Sequence, residues 1–358
     1  MALKQTFIPV EVLNSYGLAD RETVVVPLGK GNINDTYLVS FSSGKVVFQR
    51  INAAVFPAPA AIAANFQFVS GHIQKQIRTA PFEYQCAELI PTLEGEGWYI
   101  DQKGECWRAQ NYIEHAVPES RHLNYGSAVQ LGQVLARFHL LTEGLDVTEL
   151  HEPIPGFHRT LRYLESYDTA LAEAQPADSA ALSACRAYVE RFRRRVTVLE
   201  QERASGRLPI RVMHGDPKLD NVIWREAEQA KGLFDLDTVG PGLRLYDLGD
   251  CLRSSCNLIG EEACQHEVTF SAEIFQAVLE GYFSAGENFL GANERELIVD
   301  AALTITVELG VRFLTDYIGG NVYFKTTRDG QNLGRALVQF KLADSMESQE
   351  KELRRMTA

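Results

Sequence analysis

Residues 214–221 read His-Gly-Asp-Pro-Lys-Leu-Asp-Asn, and a second acidic group, Phe-Asp-Leu-Asp, follows at 234–237. Asp216 and Asn221 stand five apart, and Asp235 lies 19 residues beyond Asp216. These residue types suit phosphoryl transfer. That chemistry needs a metal to neutralise a triphosphate, a group to orient the acceptor hydroxyl, and a cradle for the nucleotide. Asn221 offers a carbonyl oxygen and Asp235 a carboxylate. Both are hard donors that suit Mg2+, which often takes only one or two ligands from protein, and neither suits zinc. Asp216 is then left to accept the proton of an incoming hydroxyl. His214 is expected to hold the loop by hydrogen bonding, and Gly215 lets the backbone turn tightly before Asp216. Asp237 assists the metal site, orients Lys218 or is structural. Asp and Asn are common in turns, so the reading rests on a coincidence of features. His-Gly-Asp, Asn at +5, an acidic strand end and a glycine loop (Leu28-Gly29-Lys30-Gly31) occur in one chain.

Apolar residues precede both clusters (209–213 and 232–234), which predicts that both sit at strand ends facing a cleft. From 22 to 113 the pattern is mainly strand-like. Thr23–Val26, Thr36–Val39 and Lys45–Gln49 form a β-meander, with the glycine loop between its first two strands and a turn at Ser42-Ser43-Gly44. A helix is predicted over 60–78, and further strands over 98–100 and 107–113. Beyond 113 the period changes. Leu131, Val134, Leu135, Phe138 and Leu141 mark one buried helix face, with a start at Gly126-Ser127 and a stop at Gly144. More helices are expected over 159–173, 178–204, 269–286 and 293–317. The prediction is an α+β chain of two lobes. Residues 1–113 form a small antiparallel β-rich lobe for the nucleotide; residues 114–358 form a larger, mainly helical lobe with the catalytic loop and the substrate pocket.

The chain has 358 residues, is 45% hydrophobic and carries 35 basic against 47 acidic side chains, a net charge of −12. This is an ordinary globular composition. Its acidic balance argues against nucleic acid or an anionic membrane as the main partner. No apolar run reaches the roughly 18 residues of a membrane span, and the first residues lack the pattern of a signal peptide. The six cysteines show no C-x-x-C spacing, so reduced buried thiols in the cytoplasm are expected. The run Arg191-Phe-Arg-Arg-Arg195 is read as a solvated helix face because Glu190, Glu200 and Glu202 flank it. Asp247 and Asp250 are read as structural anchors.

The motif His-Gly-Asp-x-x-x-x-Asn at 214–221, the Phe234-Asp235-Leu236-Asp237 segment and Leu131-Gly-x-x-Leu-Ala-x-x-His139 together resemble the aminoglycoside/choline phosphotransferase superfamily, relatives of protein kinases. A closer likeness, to the N-acetylhexosamine 1-kinases, rests on Gly31-Asn-Ile-Asn-Asp-Thr-Tyr-Leu-Val39, Gln49-Arg-Ile-Asn52 and Phe56-Pro57. It continues in Asp235–Val239 with Pro241-Gly242, in Arg312–Tyr317 and in Val322–Lys325. The resemblance implies a bilobal protein-kinase-like fold, ATP and Mg2+ as cofactors, and a sugar phosphorylated at its anomeric hydroxyl. It implies Asp216 as base and Asn221 and Asp235 as metal ligands. Gly29 and Gly31 would cover the phosphates, Gln49 would line the nucleotide site, and the backbone of Asn111–Ile113 would receive adenine. Arg312 would contact sugar hydroxyls.

Two positions depart from these relatives. Asn32 stands where the acetylhexosamine kinases carry histidine. Gln49 stands where many superfamily members carry a phosphate-binding lysine, which leaves charge compensation to Mg2+ and to Arg50 or Lys30. A neutral sugar calls for polar groups that bond two hydroxyls each beside an apolar wall. Asn32, Asn34, Arg312, Asp316 and Tyr317 are the polar candidates, and Trp224 or Tyr323 the wall. The alternatives are a kinase of choline, homoserine or an aminoglycoside, or a pseudokinase-like nucleotide sensor. A cationic acceptor would need a pocket lined with carboxylates or aromatic cages; the stretch 244–262 and the last helices hold Asp247, Asp250, Glu261, Glu262, Glu308 and Asp316, yet Arg312 among them favours a neutral or anionic acceptor.

Overall fold

The computed structural model describes residues 7–18, 22–28, 33–115, 123–177, 179–225, 229–262, 267–284 and 290–357. Gly29, Lys30, Gly31 and Asn32, hence the predicted glycine loop, lie outside the described residues, as does Cys264. The first sheet begins as the meander that the β-branched runs predict: β1 (Val24–Pro27), β2 (Asp35–Phe41) and β3 (Gly44–Arg50) are antiparallel neighbours. Three more strands complete it, β4 (Leu89–Ile90), β5 (Tyr99–Ile100) and β6 (Cys106–Asn111), with β3, β4 and β5 all paired to β6. Alternation along the strands gives the sheet two different faces. Val46, Phe48, Trp107 and Ala109 bury one face together with Val12 and Tyr16 of the α1 segment (Val10–Ser15). Gln49 and Arg108, paired across β3 and β6, fall on the other face. There α2 (Pro59–Ile77) lies below the sheet, with the Arg108 guanidinium over the Phe66 ring, 4.9 Å from its centroid.

The larger part is helical. It contains α3 (Tyr125–Leu141), α4 (Thr160–Ala174), α5 (Ala180–Phe192), α6 (Val198–Ala204), α7 (Arg244–Ser255), α8 (Ala272–Ser284), α9 (Ala292–Glu296), α10 (Ile298–Ile318), α11 (Gln331–Ser348) and α12 (Glu350–Met356). Two short strand pairs lie at its top, β7 (Arg211–Met213) with β10 (Gly240–Gly242), and β8 (Val222–Trp224) with β9 (Ala230–Leu233). Thus β7 runs into His214 and β9 into Phe234, so both acidic clusters do follow strands. Helix α10 is the central post, packed against α4, α7 and α11. It buries Leu303, Ile305, Val307, Val311, Phe313 and Leu314, each worth about 1.5–3 kcal/mol of apolar transfer. Asn65 of α2 ties the sheet to the helical part, donating to the carbonyls of His151 (2.8 Å) and Val239 (2.9 Å).

Several boundaries differ from expectation. Helix α3 starts one residue earlier, at Tyr125, because the Asn124 side chain accepts from the Ser127 N–H at 2.8 Å and caps it. It ends at Leu141, before Gly144. The span 178–204 breaks into α5, a 3-10 turn at Arg195–Thr197 and α6. The span 293–317 is divided at Leu297 between α9 and α10. Helices α7, α11 and α12 lacked an assignment from periodicity. The arginine run is a solvated face with partners. Arg191 pairs with Asp344 (2.7 Å), Arg193 with Asp168 (2.6 Å) and Arg195 with Glu350 (2.7 Å). Of the cysteines, Cys86, Cys106, Cys185, Cys251 and Cys256 are buried and free. Among the described residues no helix is long and apolar enough to cross a membrane.

Helices α3 and α8 approach through two glycines. A Cβ on Gly132 would stand 1.9 Å from the Val278 carbonyl oxygen, and one on Gly281 1.9 Å from that of Val129. Neither backbone can yield without separating the helices, so Gly132→Ala should destabilise the protein by about 1–3 kcal/mol. Equilibrium urea unfolding measures this; an unchanged midpoint would show that the two helices can move apart freely.

Candidate active site

The loop after β7 is held by one carboxylate. Asp247 of α7, wholly buried, accepts the N–H groups of His214 (2.6 Å) and Gly215 (2.7 Å). The same carboxylate meets His139 Nε2 of α3 at 2.9 Å, whose Nδ1 reaches the Tyr282 hydroxyl of α8 at 2.9 Å. Burial works against the Asp247 charge. The imidazoles of His139 and His214 and the Gly215 N–H outweigh it and hold the carboxyl below the usual range. Asp247 is therefore an anchor, as expected. Gly215 adopts φ +85, and a Cβ there would meet the Thr238 carbonyl oxygen at 2.7 Å, so glycine is required twice over. His214 Nε2 lies 2.8 Å from the Phe234 carbonyl. A carbonyl only accepts, so this nitrogen carries the proton, and burial keeps the ring neutral by lowering its pKa. His214 thus joins the two acidic loops and is not poised as a base.

Asp216 is half-buried at the cleft. Its Oδ2 receives Lys218 Nζ at 2.5 Å and Asn221 Nδ2 at 3.0 Å, and Asn221 Nδ2 also reaches the Asp216 carbonyl at 2.8 Å. Burial opposes the Lys218 charge, but Asp216, Asp235 and Asp250 more than offset it and raise its pKa. With its amide nitrogen spent on Asp216, Asn221 has its carbonyl oxygen left for a cation. Asp235 stands at φ 59, an uncommon backbone state for a non-glycine residue, and its side chain opens to solvent. The surrounding protein and the carboxylates of Asp237 and Asp216 push the Asp235 carboxyl up to about 7. A carboxyl crowded by like charges gains from a cation. The donor set fits Mg2+: one carboxylate and one amide oxygen, without sulfur or imidazole. No group of three or more His, Cys, Asp or Glu could hold a metal among the described residues, so these two residues would share the ion with nucleotide oxygens.

On the sheet side of the site, Gln49 Oε1 accepts Arg108 Nε (3.0 Å) and Nη2 (2.7 Å), and Arg108 is also ion-paired with Asp237. Arg108 is 1% exposed, and sequence reasoning passed over it. Its signal was its register: an arginine opposite Gln49 on the buried face of a sheet. Arg50 does not compensate the cleft, because its guanidinium turns outward to Asp35 at 2.5 Å and Glu105 at 3.6 Å. Asp237 does not orient Lys218 either; its oxygens take Arg108 and the Asn34 amide. Asn34 in turn accepts the Asn52 N–H at 2.9 Å. It is thus a bridge between the sheet and Asp237 in place of the expected acceptor contact. Asn111 is fixed by the Glu88 N–H on its side chain (2.8 Å) and by the Glu88 carbonyl on its own N–H (3.1 Å). Its neighbour Ile113 accepts His115 Nδ1 at 3.0 Å, and the His115 ring lies edge-on to Phe234 at 4.8 Å.

On the opposite side, Arg312 of α10 is half-buried among the rings of Phe157, Tyr163, Tyr323 and Phe324, 5.1–5.6 Å from their centroids, and reaches the Tyr323 hydroxyl at 3.3 Å. Asp316 is spent on the following turn: it accepts the N–H groups of Val322 (2.8 Å), Tyr323 (2.7 Å) and Phe324 (3.0 Å) and the Asn332 amide (2.9 Å). It shapes the pocket by holding Tyr323, which corrects its expected role as an acceptor contact. Tyr317 packs half-buried on the core. Trp224 is 1% exposed and belongs to the core, so it forms no wall. One turn before Arg312, Glu308 is buried against His158 Nδ1 (2.9 Å) and the Thr160 hydroxyl (2.7 Å), and His158 Nε2 faces the Gly215 carbonyl at 3.4 Å. Helix α10 thereby braces the loop at 214–216 and carries Arg312 one turn further on. Burial penalises a charged His158, but Glu308 outweighs it and raises the pKa above the usual histidine range. A raised folded-state pKa adds stability below the unfolded value of about 6.5 and loses it as pH rises through the folded one. His158→Gln should therefore cost more stability at about pH 5.5 than at about pH 9. Thermal unfolding at the two pH values tests this, and an equal loss at both would refute it.

A family model described as the phosphotransferase enzyme family matches residues 24–287. Among solved structures, a microcompartment-associated aminopropanol kinase superposes with a TM-score of 0.63 at 16% identity over 96% of this chain and 97% of that one. An aminoglycoside phosphotransferase from Alicyclobacillus acidocaldarius gives 0.61 at 17% identity over 99% and 98%. Amicoumacin kinase, in complex with AMP-PNP, Ca2+ and Ami, gives 0.56 at 13% over 91% and 88%. At these identities the likeness establishes the fold, the α+β kinase-like arrangement of an antiparallel sheet and a larger helical part. The family match spans most of the chain and includes both acidic loops: this protein is a member of the phosphotransferase enzyme family.

Proposed function

We propose that the chain uses ATP and Mg2+ to phosphorylate a neutral, hydroxyl-rich acceptor, in the first place an N-acetylhexosamine or related hexose at its anomeric hydroxyl. The observation that carries this is the guanidinium of Arg312, enclosed by four aromatic rings beside Tyr323. A choline-like cation would occupy such rings itself; here they already hold a cation that repels one. The acids that a cationic acceptor would need are engaged elsewhere. Asp247 holds the loop, Glu308 holds His158, Asp250 and Glu261 pair with Arg253, and Glu262 pairs with Arg335. A guanidinium with a phenol beside it suits hydroxyl and acetamido oxygens, and the rings suit the apolar face of a pyranose.

In this reading residues 1–113 hold the nucleotide and residues 114–358 the acceptor. Asp216 takes the hydroxyl proton and aims the oxygen at the γ-phosphorus, with no covalent enzyme intermediate. Lys218 and Asn221, both bonded to its Oδ2, fix its orientation. Asn221 and Asp235 would hold Mg2+, which supplies charge neutralisation at the phosphates when bound. An anomeric hydroxyl is more acidic than an ordinary alcohol, which lightens the demand on Asp216.

An ATP-consumption screen over free hexoses, N-acetylhexosamines, choline, aminopropanol and aminoglycosides, with 31P and 13C NMR of the product, tests the acceptor. A sugar 1-phosphate is expected; phosphate on carbon 6 or on an amino alcohol would overturn the reading. Asp216→Ala should lower kcat by about 10²–10⁴-fold, the usual contribution of a positioned base, while AMP-PNP still binds. Near-native turnover would remove Asp216 from the role. Asp235→Ala should abolish the Mg2+ dependence of AMP-PNP binding, and an unchanged metal titration would count against its place as ligand.

A further inference from the structure

Arg108 is an arginine that the fold has gone to some length to bury. It lies on β6 at 1% exposure, with its Cζ over the Phe66 ring. A guanidinium stays charged in every protein environment, and a buried charge is costly unless it is paired and hydrogen-bonded. Its partners are unequal. Nε and Nη2 share the neutral carbonyl oxygen of Gln49, which orients the group without discharging it. Nη2 also meets Asp237 Oδ1. Nη1 is buried and has no hydrogen-bond partner among the described residues, so two strong donors go unused. The acid that holds Arg108 stands two residues past Asp235, and its other oxygen takes the Asn34 amide.

We propose that Arg108 is the phosphate-directed cation of the cleft, and that Asp237 competes with the nucleotide for it. This rests on the nucleotide-dependent phosphotransfer proposed above. Three observations on charge support it. Arg108 acts electrostatically on Asp235, as Lys218 does, but Lys218 is committed to Asp216 at 2.5 Å. Arg50, the other arginine at this end of β3, is turned out of the cleft to Asp35. Position 49, which faces the same side of the sheet as Arg108, carries no charge. A bidentate arginine is well matched to phosphate oxygens, and Gln49, held by Nε and Nη2, leaves Nη1 without a partner. A divalent cation that attracts Asp237 would loosen the competing pair and shift the guanidinium charge towards phosphate. The arrangement couples the two loops electrostatically without either residue touching the acceptor.

Calorimetric titration of the full chain with AMP-PNP, with and without Mg2+, and with adenosine tests the proposal. Arg108→Met should weaken AMP-PNP·Mg2+ binding by roughly 10–100-fold, the scale of a charge-assisted phosphate contact, and leave adenosine affinity unchanged. The double variant Gln49→Lys/Arg108→Met returns a cation to the neighbouring strand and should recover most of the loss. Asp237→Asn keeps the Arg108 fold contacts but removes the competitor. It should tighten metal-free AMP-PNP binding by about tenfold, the scale of one charge-assisted bond. A purely structural Arg108–Asp237 pair predicts the opposite: weaker binding in Asp237→Asn, parallel losses for AMP-PNP and adenosine in Arg108→Met, and no rescue. Either pattern, or native AMP-PNP affinity in Arg108→Met, overturns the proposal while leaving the kinase reading intact. Failure of the unaltered chain to bind AMP-PNP overturns both.

Discussion

The Asp247 carboxylate is the constraint from which the site is built. It has no solvent to satisfy it and takes its partners from three directions: two successive backbone N–H groups of the catalytic loop and the imidazole of His139. Breaking such a set would leave a buried charge and several donors unpaired, at a cost of about 3–5 kcal/mol. The loop is therefore fixed to α7 and, through His139 and Tyr282, to α3 and α8. The same helices meet at Gly132 and Gly281 with no room for a methyl group. Helix packing far from the cleft thus fixes where Asp216 points.

From that anchor the site spreads through hydrogen bonds between loops. His214 reaches the carbonyl of Phe234, Thr238 reaches the carbonyl of His214 at 2.9 Å, and Phe234 N–H reaches Asn221 at 2.7 Å. These bonds join the two acidic clusters directly, so Asn221 and Asp235 are held side by side. Helix α10 adds the third connection: Glu308 steadies His158 beside Gly215, and Arg312 stands one turn further on. The Arg312 ring cluster and the 214–216 loop hang from the same post.

Charge in the cleft is closely balanced. Asp216, Asp235 and Asp237 face Lys218 and Arg108, and each cation has a committed carboxylate. Asp235 is left over, and desolvation by the surrounding protein, followed by that excess of negative charge, raises its pKa. The lobes are tied at the same place, through Asn34 to Asp237 and Asn65 to Val239.

The sequence alone determined much of this protein. The types and spacing of His214, Asp216, Asn221 and Asp235 specify a chemistry, and β-branched runs and the 3.6-residue period specify a sheet followed by helices. These are local properties: oxygen donors choose a hard metal wherever they are, and periodicity reports which face is buried. Only the tertiary structure decided what Arg108, Asn34, Asp316, His158 and Glu308 do. Their partners lie up to 203 positions away in the chain, and an isolated Arg or Asn reads the same on a surface as in a cleft. Arg50 and Arg108 show this best. Both are arginines at neighbouring strand positions, yet the pleat turns one to solvent and the other to the metal loop. Alternation along a strand is visible in sequence, but which face meets the second lobe depends on how α2 docks, a matter of packing across the whole molecule.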